Sequence, residues 1–332
     1  MAGGTPLTIR GLSVSYPSDR GPIDAVRDVD LEVRAGEFLG IVGESGSGKT
    51  QLLLSILGLT GARAQVRGSI HLHDQQLLGL DTAALNRVRG DRISMVFQDP
   101  MTALNPYLRI GRQITEVLCV HRGASQRAAR QRAVQMLEAV HIPDAERRLR
   151  QYPHELSGGM RQRVMIAIAL ITEPEVVLAD EPSTALDVTV QAQILSLFQE
   201  LRARTGAAIV LVTHDLGVIA EAADRVAVMY AGRIVEQAPV HELFAHPRHP
   251  YTEGLQQSIP RIDAPRPAQL PSIGGAPPDP ARLPAGCAFA PRCLYRLPLC
   301  EIETPALLEA GADHLKACHY QGALGRLRGA PA

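Results

Sequence analysis

The segment GESGSGKT at residues 43–50 constrains the fold more than any other part of the sequence. It matches the pattern G-x-x-x-x-G-K-[ST] and lies between the apolar run EFLGIVG and the leucine-rich run QLLLSILGL. A strand, a glycine-rich loop and a helix in this order turn successive backbone N–H groups toward one anion, at the positive end of the helix dipole. The pattern therefore predicts a phosphate-binding loop in an α/β protein.

Lysine is rare in this chain, since only Lys49 and Lys316 among the 34 basic residues are lysines. A lysine in the required slot argues against the alternative of an ordinary glycine-rich turn before a helix. We expect the Lys49 ammonium to bind the β- and γ-phosphates of ATP and the Thr50 hydroxyl to ligate Mg²⁺. The predicted nucleotide-binding residues of the loop are Gly43, Glu44, Ser45, Gly46, Ser47, Gly48, Lys49 and Thr50.

The segment VVLADE at residues 176–181 predicts the second half of the site. An aliphatic strand ends in Asp180, which we expect to hold Mg²⁺ directly or through water, and Glu181 would polarise the attacking water. Two adjacent carboxylates at a strand end are costly unless they share a cation or a water molecule. The alternative is a strand exit with solvated acids, and the phosphate loop earlier in the chain argues against it.

Three further site residues are predicted at the ends of strand-like runs. His214 follows AAIVLVT at the edge where ligands bind in open α/β sheets, and it would contact the γ-phosphate or hold the water with Glu181. Gln98 ends the run RISMVFQ and would reach Mg²⁺ or the water. Tyr16, in SVSYP, would stack on the adenine ring, with simple packing as the alternative.

The segment LSGGM at residues 156–160 predicts a second anion-binding helix start. Its residues Ser157, Gly158, Gly159 and Met160 open the helical pattern MRQRVMIAIAL. The phosphates of one ATP are already assigned to residues 43–50, so this segment lacks an obvious ligand of its own. An ordinary serine-capped helix is the alternative.

The rest of the chain predicts strands and helices without an internal repeat. AVRDVDLEV, EFLGIVG, PEVVLADE and AAIVLVTHD contain predicted strands, RVAVMYAGRIVEQ a hairpin, and residues 109–150 helices. Eight prolines between Pro260 and Pro284 argue against helix or central strand there. A disordered linker is one interpretation, and the cysteines beyond it favour an ordered tail on an extended connector, with a boundary near residue 255.

Charge and hydropathy exclude several classes of protein. Acidic and basic residues balance at 34 each, which argues against a general nucleic-acid binder. The N-terminus MAGGTPLTIR lacks the apolar segment of a secretory signal. The longest strongly apolar run, VMIAIALI, is far shorter than the ~20 residues of a membrane-spanning helix. We therefore expect a cytoplasmic protein.

The phosphate loop, LSGGM, VVLADEPSTALD and VTHD together resemble the ATPase domain of ABC transporters. In that family the LSGG segment closes over the ATP of the opposite subunit, so the resemblance implies that residues 157–160 act in trans. Met160 departs from the usual glutamine, and the methionine form is familiar among peptide importers. VFQDPMTALNP, EPSTALDVTVQAQIL and HPYT are similar to segments of the ATP-binding subunits of oligopeptide, dipeptide and nickel importers.

This resemblance implies an α/β fold with a RecA-like core, an antiparallel β subdomain and a helical subdomain at about residues 99–165. The ATPase domain would cover residues 1–255, and residues 256–332 would form the connector and a four-cysteine tail. The resemblance further implies an ATP- and Mg²⁺-dependent ATPase, peripheral on the cytoplasmic face of the inner membrane. Its partners would be a second ATPase subunit (a copy or a paralogue), two permease subunits and an extracellular substrate-binding protein, with no nucleic acid.

The implied cargo is di- or oligopeptides, with nickel as the alternative. A DNA-repair or chromosome-maintenance ATPase of the same superfamily is a distant alternative. It is disfavoured because only about 100 residues, without sustained heptads, separate Gln51 from Leu156. A ribosome-associated tandem ATPase would carry two phosphate loops, and a fused exporter would carry membrane helices.

Four of the five cysteines lie in the last 46 residues, separated by five, six and seventeen residues: Cys287, Cys293, Cys300 and Cys318. Reduced cytoplasmic thiols argue against structural disulfides. A metal centre would supply folding energy to a proline-rich segment with little core. Cys119, in ITEVLCV, is predicted to be an inert core residue.

The cysteine spacing leaves the metal open. Zinc sites usually show a gap of two to four residues between paired cysteines, which is missing here. An iron–sulfur cluster also takes four cysteines, although this spacing matches neither common ferredoxin pattern. Four unliganded thiols are a further alternative. The resemblance to peptide-importer ATPases implies a [4Fe–4S] cluster on these four cysteines, with a structural or redox-sensing role.

Overall fold

The structure of the protein is a computed structural model that describes residues 4–182, 188–258 and 273–325. Residues 183–187 of the segment EPSTALDVTVQAQIL and residues 259–272 of the predicted connector lie outside these ranges. Within the described ranges, every helix is too short or too polar to cross a lipid bilayer.

The described residues form twelve strands and twelve α-helices, with 3₁₀ turns at Pro153–Glu155 and Ala290–Arg292. The strands are β1 (Leu7–Tyr16), β2 (Ile23–Val33), β3 (Phe38–Val42), β4 (Gln65–Leu72), β5 (Gln75–Gln76), β6 (Ile93–Val96), β7 (Val176–Asp180), β8 (Ala208–Thr213), β9 (Arg225–Tyr230), β10 (Arg233–Pro239), β11 (Leu308–Gly311) and β12 (His314–Lys316). The helices are α1 (Lys49–Ile56), α2 (Thr82–Val88), α3 (Pro100–Ala103), α4 (Ile110–Arg122), α5 (Gln126–Ala139), α6 (Ala145–Arg148), α7 (Gly158–Leu170), α8 (Val188–Thr205), α9 (Leu216–Ala222), α10 (Val240–Ala245), α11 (Pro250–Gln257) and α12 (Leu299–Ile302).

The strands form two sheets. The smaller has the order β2–β1–β4–β5, and the larger has the order β11–β12–β10–β9–β3–β8–β7–β6. In the larger sheet β9 pairs with β3 in parallel, as β7 does with β6 and β8, whereas β10 is antiparallel to β9 and β12. Strands β3, β6, β7, β8 and β9 are buried along their whole length. Their near-continuous aliphatic sequences follow from this, because parallel strands are covered on both faces.

The chain divides into two compact units, the first made of residues 1–8, 32–38 and 71–212. Its helices α4, α5 and α7 pack against one another, and α7 also packs against β6. Helix α7 is apolar around most of its circumference, as expected of a helix buried on several sides. Gly111 is the second residue of α4, and a Cβ atom there would lie 2.7 Å from the Leu149 carbonyl oxygen, so a larger residue cannot fit.

The second unit is made of residues 9–31, 39–70 and 213–332. It contains the β9–β10 hairpin, and the tail adds β12 to this hairpin with Glu236 opposite Lys316 and Gln237 opposite Leu315. Strand β11 then pairs with β12. The tail is therefore tied to the sheet by backbone hydrogen bonds, including one from Ala317 N–H to the Val235 carbonyl oxygen, 2.8 Å long.

The α/β prediction is confirmed, as are the predicted strands, the hairpin and the helices between residues 109 and 150. The prediction for Cys119 is wrong. Its side chain is half-buried, and its sulfur accepts a hydrogen bond from Gln126 Nε2. Leu118 occupies the buried position of α4 at this level, and the next residue is rotated about 100° around the helix. The domain boundary near residue 255 stays a prediction.

Candidate functional site

The phosphate loop lies in the second unit, between β3 and α1. Gly43 and Gly48 cannot be replaced by larger residues. A Cβ atom on Gly43 would lie 2.2 Å from the Met229 carbonyl oxygen, and one on Gly48 would lie 2.2 Å from the Ala25 carbonyl oxygen. Gly48 also takes φ +100° at the N-cap of α1, a conformation that glycine adopts without strain. The close packing of the backbone therefore explains two of the three glycines in the motif.

Lys49 is the first residue of α1, and only 5% of it is exposed. Its ammonium donates hydrogen bonds to the carbonyl oxygens of Gly43 (2.7 Å) and Glu44 (3.0 Å). The buried Ser47 hydroxyl has no hydrogen-bond partner among the described residues. A buried cation and an unpaired hydroxyl in a glycine-rich loop are suitable donors for a phosphate, so the loop fits the predicted nucleotide.

The other predicted residues of this unit lie at strand ends. Tyr16 ends β1, and its half-buried hydroxyl lies 2.5 Å from Gln51 Oε1 and 2.8 Å from the Thr60 carbonyl oxygen. Burial raises the pKa of Tyr16, so it stays neutral. His214 follows β8 and is exposed, as are Ser45, Gly46 and Thr50 in the loop.

The first unit holds the predicted carboxylates. Asp180 ends β7 and is buried, whereas Glu181 is half-buried. Glu181 has φ +44°, and its N–H donates to the Val212 carbonyl oxygen (2.9 Å). Gln98 is exposed, two residues beyond the end of β6, and its Nε2 donates to Glu181 Oε2 (3.3 Å). The structure therefore brings Gln98 and Glu181 together.

Gln162 was not predicted from the sequence. It lies on α7, buried, and its Nε2 donates to the carbonyl oxygen of Pro182, which follows Glu181 (2.5 Å). The sequence gives no clear signal for it, because Gln162 lies between Arg161 and Arg163 ahead of the apolar run of residues 164–170. This bond fixes the backbone directly after the predicted catalytic glutamate.

The segment LSGGM starts α7 in the first unit. Ser157 is the N-cap, and its hydroxyl accepts a hydrogen bond from Met160 N–H (3.4 Å). Ser157 and Gly158 are exposed, and a Cβ atom built on Gly158 or Gly159 would meet nothing within 4 Å. The helix start is therefore open to solvent, a geometry compatible with both the capping interpretation and an anion from another subunit.

Two residues of the second unit hold the phosphate loop and were not predicted. Tyr251, in the segment HPYT, accepts a hydrogen bond from Glu44 N–H (2.8 Å), and burial raises its pKa. Arg292, in the cysteine-bearing tail, binds the Glu44 carboxylate through both terminal nitrogens (2.6 and 2.9 Å). These contacts join the loop to segments more than 200 residues away.

The four tail cysteines are free thiols in the second unit. Burial raises the pKa of Cys287, and it raises that of Cys293 to about 12 and of Cys318 to about 11. The charges of neighbouring cysteines, Cys300 among them, contribute to each of these increases, so the four sulfurs are electrostatic neighbours. In the described part of the chain, however, no three His, Cys, Asp or Glu side chains are arranged to hold a metal ion.

Comparison with known proteins agrees with this geometry. Residues 26–184 match the family model "ABC transporter", and residues 235–300 match "Oligopeptide/dipeptide transporter, C-terminal region". The oligopeptide transport ATP-binding protein OppD of Salmonella typhimurium is 47% identical over 94% of this chain and 92% of its own length. OppD of Haemophilus influenzae is also 47% identical, over 94% of this chain and 96% of its own length.

A solved structure shows the same fold. The dimeric, post-hydrolysis structure of the ATP-binding cassette MJ0796 bound to ADP and Pi has a TM-score of 0.65 and 31% identity, covering 70% of this chain and 98% of its own. The resemblance inferred from the motifs is thus confirmed, together with the ABC ATPase fold. The chain belongs to the ABC transporter family, as an ATPase with the C-terminal region of the oligopeptide/dipeptide transporters.

Proposed function

We propose that this chain is the ATP-hydrolysing subunit of an ABC importer of di- or oligopeptides. The observation that carries the proposal is the 47% identity to oligopeptide transport ATP-binding proteins, which extends over 94% of this chain and includes the tail region. In the complex this chain would lie peripherally on the cytoplasmic face of the inner membrane. It would work with a second ATPase subunit, two permease subunits and an extracellular substrate-binding protein.

In this proposal the loop residues 43–50 and Tyr16 bind ATP. Lys49 would leave the carbonyl oxygens of Gly43 and Glu44 for the β- and γ-phosphates, and its burial makes this charge effective because little solvent screens it. Thr50 and Asp180 would hold Mg²⁺, which would offset the phosphate charge. The Ser47 hydroxyl would gain its hydrogen-bond partner.

Hydrolysis requires a water aligned with the γ-phosphate. Glu181 would accept a proton from this water, Gln98 would orient the Glu181 carboxylate through their hydrogen bond, and His214 would hold the γ-phosphate or the water. Residues 157–160 of the partner ATPase would complete the site with a second helix N-terminus. Closure of two subunits on ATP would then be coupled to the permease.

Import of labelled peptides into proteoliposomes containing the complete transporter tests this function. We expect ATP-dependent uptake of di- or oligopeptides that Lys49→Ala abolishes, because removal of the buried ammonium weakens ATP binding by more than about tenfold. The matched control is Lys316→Ala, the other lysine of the chain. Uptake of Ni²⁺ without peptide would favour the nickel alternative, and uptake that is independent of Lys49 would contradict the proposed site.

We further propose that Cys287, Cys293, Cys300 and Cys318 hold a [4Fe–4S] cluster with a structural or redox-sensing role. The packing of the tail supports this, because Cys287 N–H donates a hydrogen bond to the carbonyl oxygen of the buried Cys300 (2.8 Å). The tail supplies the four cysteines that such a cluster takes as ligands.

Metal analysis of anaerobically purified protein tests the cluster. We expect a brown protein with about four iron and four sulfide per chain, and loss of both in Cys300→Ser. Cys119→Ser is the matched control, since this cysteine lies outside the tail. Stoichiometric zinc without iron would contradict the cluster and indicate a zinc site. Absence of both metals would contradict any metal centre on these cysteines.

A further inference from the structure

Every polar group of Glu44 in the phosphate loop is held by another residue. Its N–H donates to the Tyr251 hydroxyl (2.8 Å), and its carbonyl oxygen accepts from Lys49 Nζ (3.0 Å). Its carboxylate binds Arg292, with Nη1 2.6 Å from Oε2 and Nη2 2.9 Å from Oε1. A two-point bond of this kind fixes orientation as well as distance, unlike a single ion pair.

Arg292 is itself held in place. Its side chain is 5% exposed, its Nε donates to the Gly274 carbonyl oxygen (3.0 Å), and its Nη1 lies 3.3 Å from the Tyr230 hydroxyl. The guanidinium carbon lies 5.9 Å from the ring centres of both Tyr230 and Phe289. Desolvated contacts of a guanidinium with aromatic rings add to the hydrogen bonds, so the charge has one defined position.

The cysteine-bearing tail supplies this arginine. Arg292 ends the 3₁₀ turn Ala290–Arg292, and it is followed directly by Cys293. The turn is closed by hydrogen bonds from Ala290 N–H to the Cys287 carbonyl oxygen (2.9 Å) and from Cys293 N–H to the Ala290 carbonyl oxygen (3.2 Å). Its neighbour Phe289 packs edge-on against Tyr230, with ring centres 5.2 Å apart. The fold of the tail therefore sets the position of Arg292.

Glu44 places a negative charge in the loop that we assign to a triphosphate. An unpaired carboxylate there would repel the phosphates, and the repulsion would be strong because the site is partly desolvated. Arg292 neutralises this charge and fixes its direction.

We propose that Arg292 is a positioning residue of the nucleotide site: it neutralises and orients the Glu44 carboxylate, and through this contact the cysteine-bearing tail prevents Glu44 from repelling the phosphates of ATP. The proposal rests on the assignment of residues 43–50 to ATP. It gives the tail a direct role in nucleotide affinity, acting through Glu44, whatever the four cysteines bind.

Nucleotide binding by the full chain, measured with a fluorescent ATP analogue, tests this role. We expect Arg292→Ala to raise the Kd by about tenfold, and Arg292→Lys to raise it less, because lysine keeps the charge but not the two-point bond. In the assembled transporter the KM for ATP should rise while kcat at saturating ATP changes little. Arg296→Ala is the matched control, since Arg296 lies in the same tail and is half-exposed.

The decisive variant is the double mutant Arg292→Ala/Glu44→Gln. Removal of the carboxylate removes the repulsion, so the double mutant should bind the analogue within about threefold of wild type. If Arg292 only kept the tail folded, Glu44→Gln would not restore binding, and the proposal would be overturned. Wild-type affinity in Arg292→Ala would overturn it as well. Lys49→Ala distinguishes failure of this proposal from failure of the ATP-site assignment. If Lys49→Ala loses binding while Arg292→Ala does not, residues 43–50 still bind ATP and only the role of Arg292 is wrong.

Discussion

Glu181 has a backbone conformation that a non-glycine residue avoids. Its φ of +44° costs about 1–3 kcal/mol, and the bond from its N–H to the Val212 carbonyl oxygen maintains it. The neighbouring Pro182 carbonyl is fixed by Gln162 from α7, and the carboxylate is bound by Gln98. Strain of this kind persists where the surrounding structure holds it, which supports a chemical role for Glu181 over simple solvation.

Glu181→Gln keeps the size of the side chain and removes its capacity to accept a proton. We expect ATP binding to stay near the wild-type level and hydrolysis in the assembled transporter to slow by ~10²–10⁴-fold, the usual contribution of a positioned base. The measurement is phosphate release at saturating ATP, with nucleotide affinity determined in parallel. Glu138→Gln, an exposed substitution on α5, is the control. Hydrolysis at the wild-type rate would remove Glu181 from the mechanism.

The sequence predicted those site residues that lie in contiguous motifs. The loop of residues 43–50 is read directly because its glycines, lysine and threonine occupy fixed spacings. Tyr251 and Arg292 could not be found in this way, because their contacts with Glu44 join positions 207 and 248 residues apart. Gln162 could not be predicted either, because its bond to the Pro182 carbonyl oxygen depends on how α7 packs and not on a local motif.

Among the elements, the buried strands were predictable and the tail strands were not. Strands β3, β7 and β8 are short aliphatic runs, which parallel pairing requires. Strands β11 and β12 carry no such signal, and Leu308 in β11 is exposed. They form because the edge of β10 is available and because the buried His314 bonds Glu236 on that strand (2.7 Å). Tertiary pairing therefore decides their structure.

Helix α11 starts at a buried histidine, which links its stability to pH. His249 is the N-cap, and its Nδ1 accepts from Tyr251 N–H (3.1 Å). The pKa of His249 is lowered from 6.5 to about 4, mainly by burial and to a smaller extent by Lys316, against the opposing effects of Glu236 and a backbone hydrogen bond at Ala317. The folded state thus keeps the imidazole neutral at a pH where the unfolded chain binds a proton.

The free energy of unfolding should therefore fall as pH is lowered from 6.5 to 4. We expect His249 to contribute at most about 3 kcal/mol to this decrease, with no further change below pH 4. His249→Asn keeps a capping oxygen and does not titrate. We expect this variant to be less stable at pH 7, because it loses the ring contact with Phe289, but to have a shallower pH dependence between 4 and 6.5. Urea unfolding across this range measures both effects, and an unchanged slope would contradict the assignment.

At the scale of the molecule, the predicted site residues are distributed over both units. The phosphate loop, Tyr16 and His214 belong to the second unit, and Gln98, Asp180 and Glu181 belong to the first. The first unit also carries the exposed start of α7 with Ser157, which the sequence predicts to bind an anion. The comparison structure of an ATP-binding cassette is a dimer. A helix start of this kind is suited to the nucleotide of a second subunit.

Mixing two inactive variants tests whether two copies of this chain share their sites. Glu181→Gln removes the base from a subunit's own site, and Ser157→Arg blocks the helix start that the subunit offers to its partner. Each variant alone should be inactive, since both sites of its dimer are damaged. In a mixed dimer both defects fall in one site and the other site is intact. If half of the dimers are mixed and the two sites work independently, mixing should restore roughly a quarter of the wild-type hydrolysis, because one of the two sites is active in half of the dimers. A mixture that stays inactive, although subunit exchange is verified with differently tagged chains, would show that each chain completes its own site.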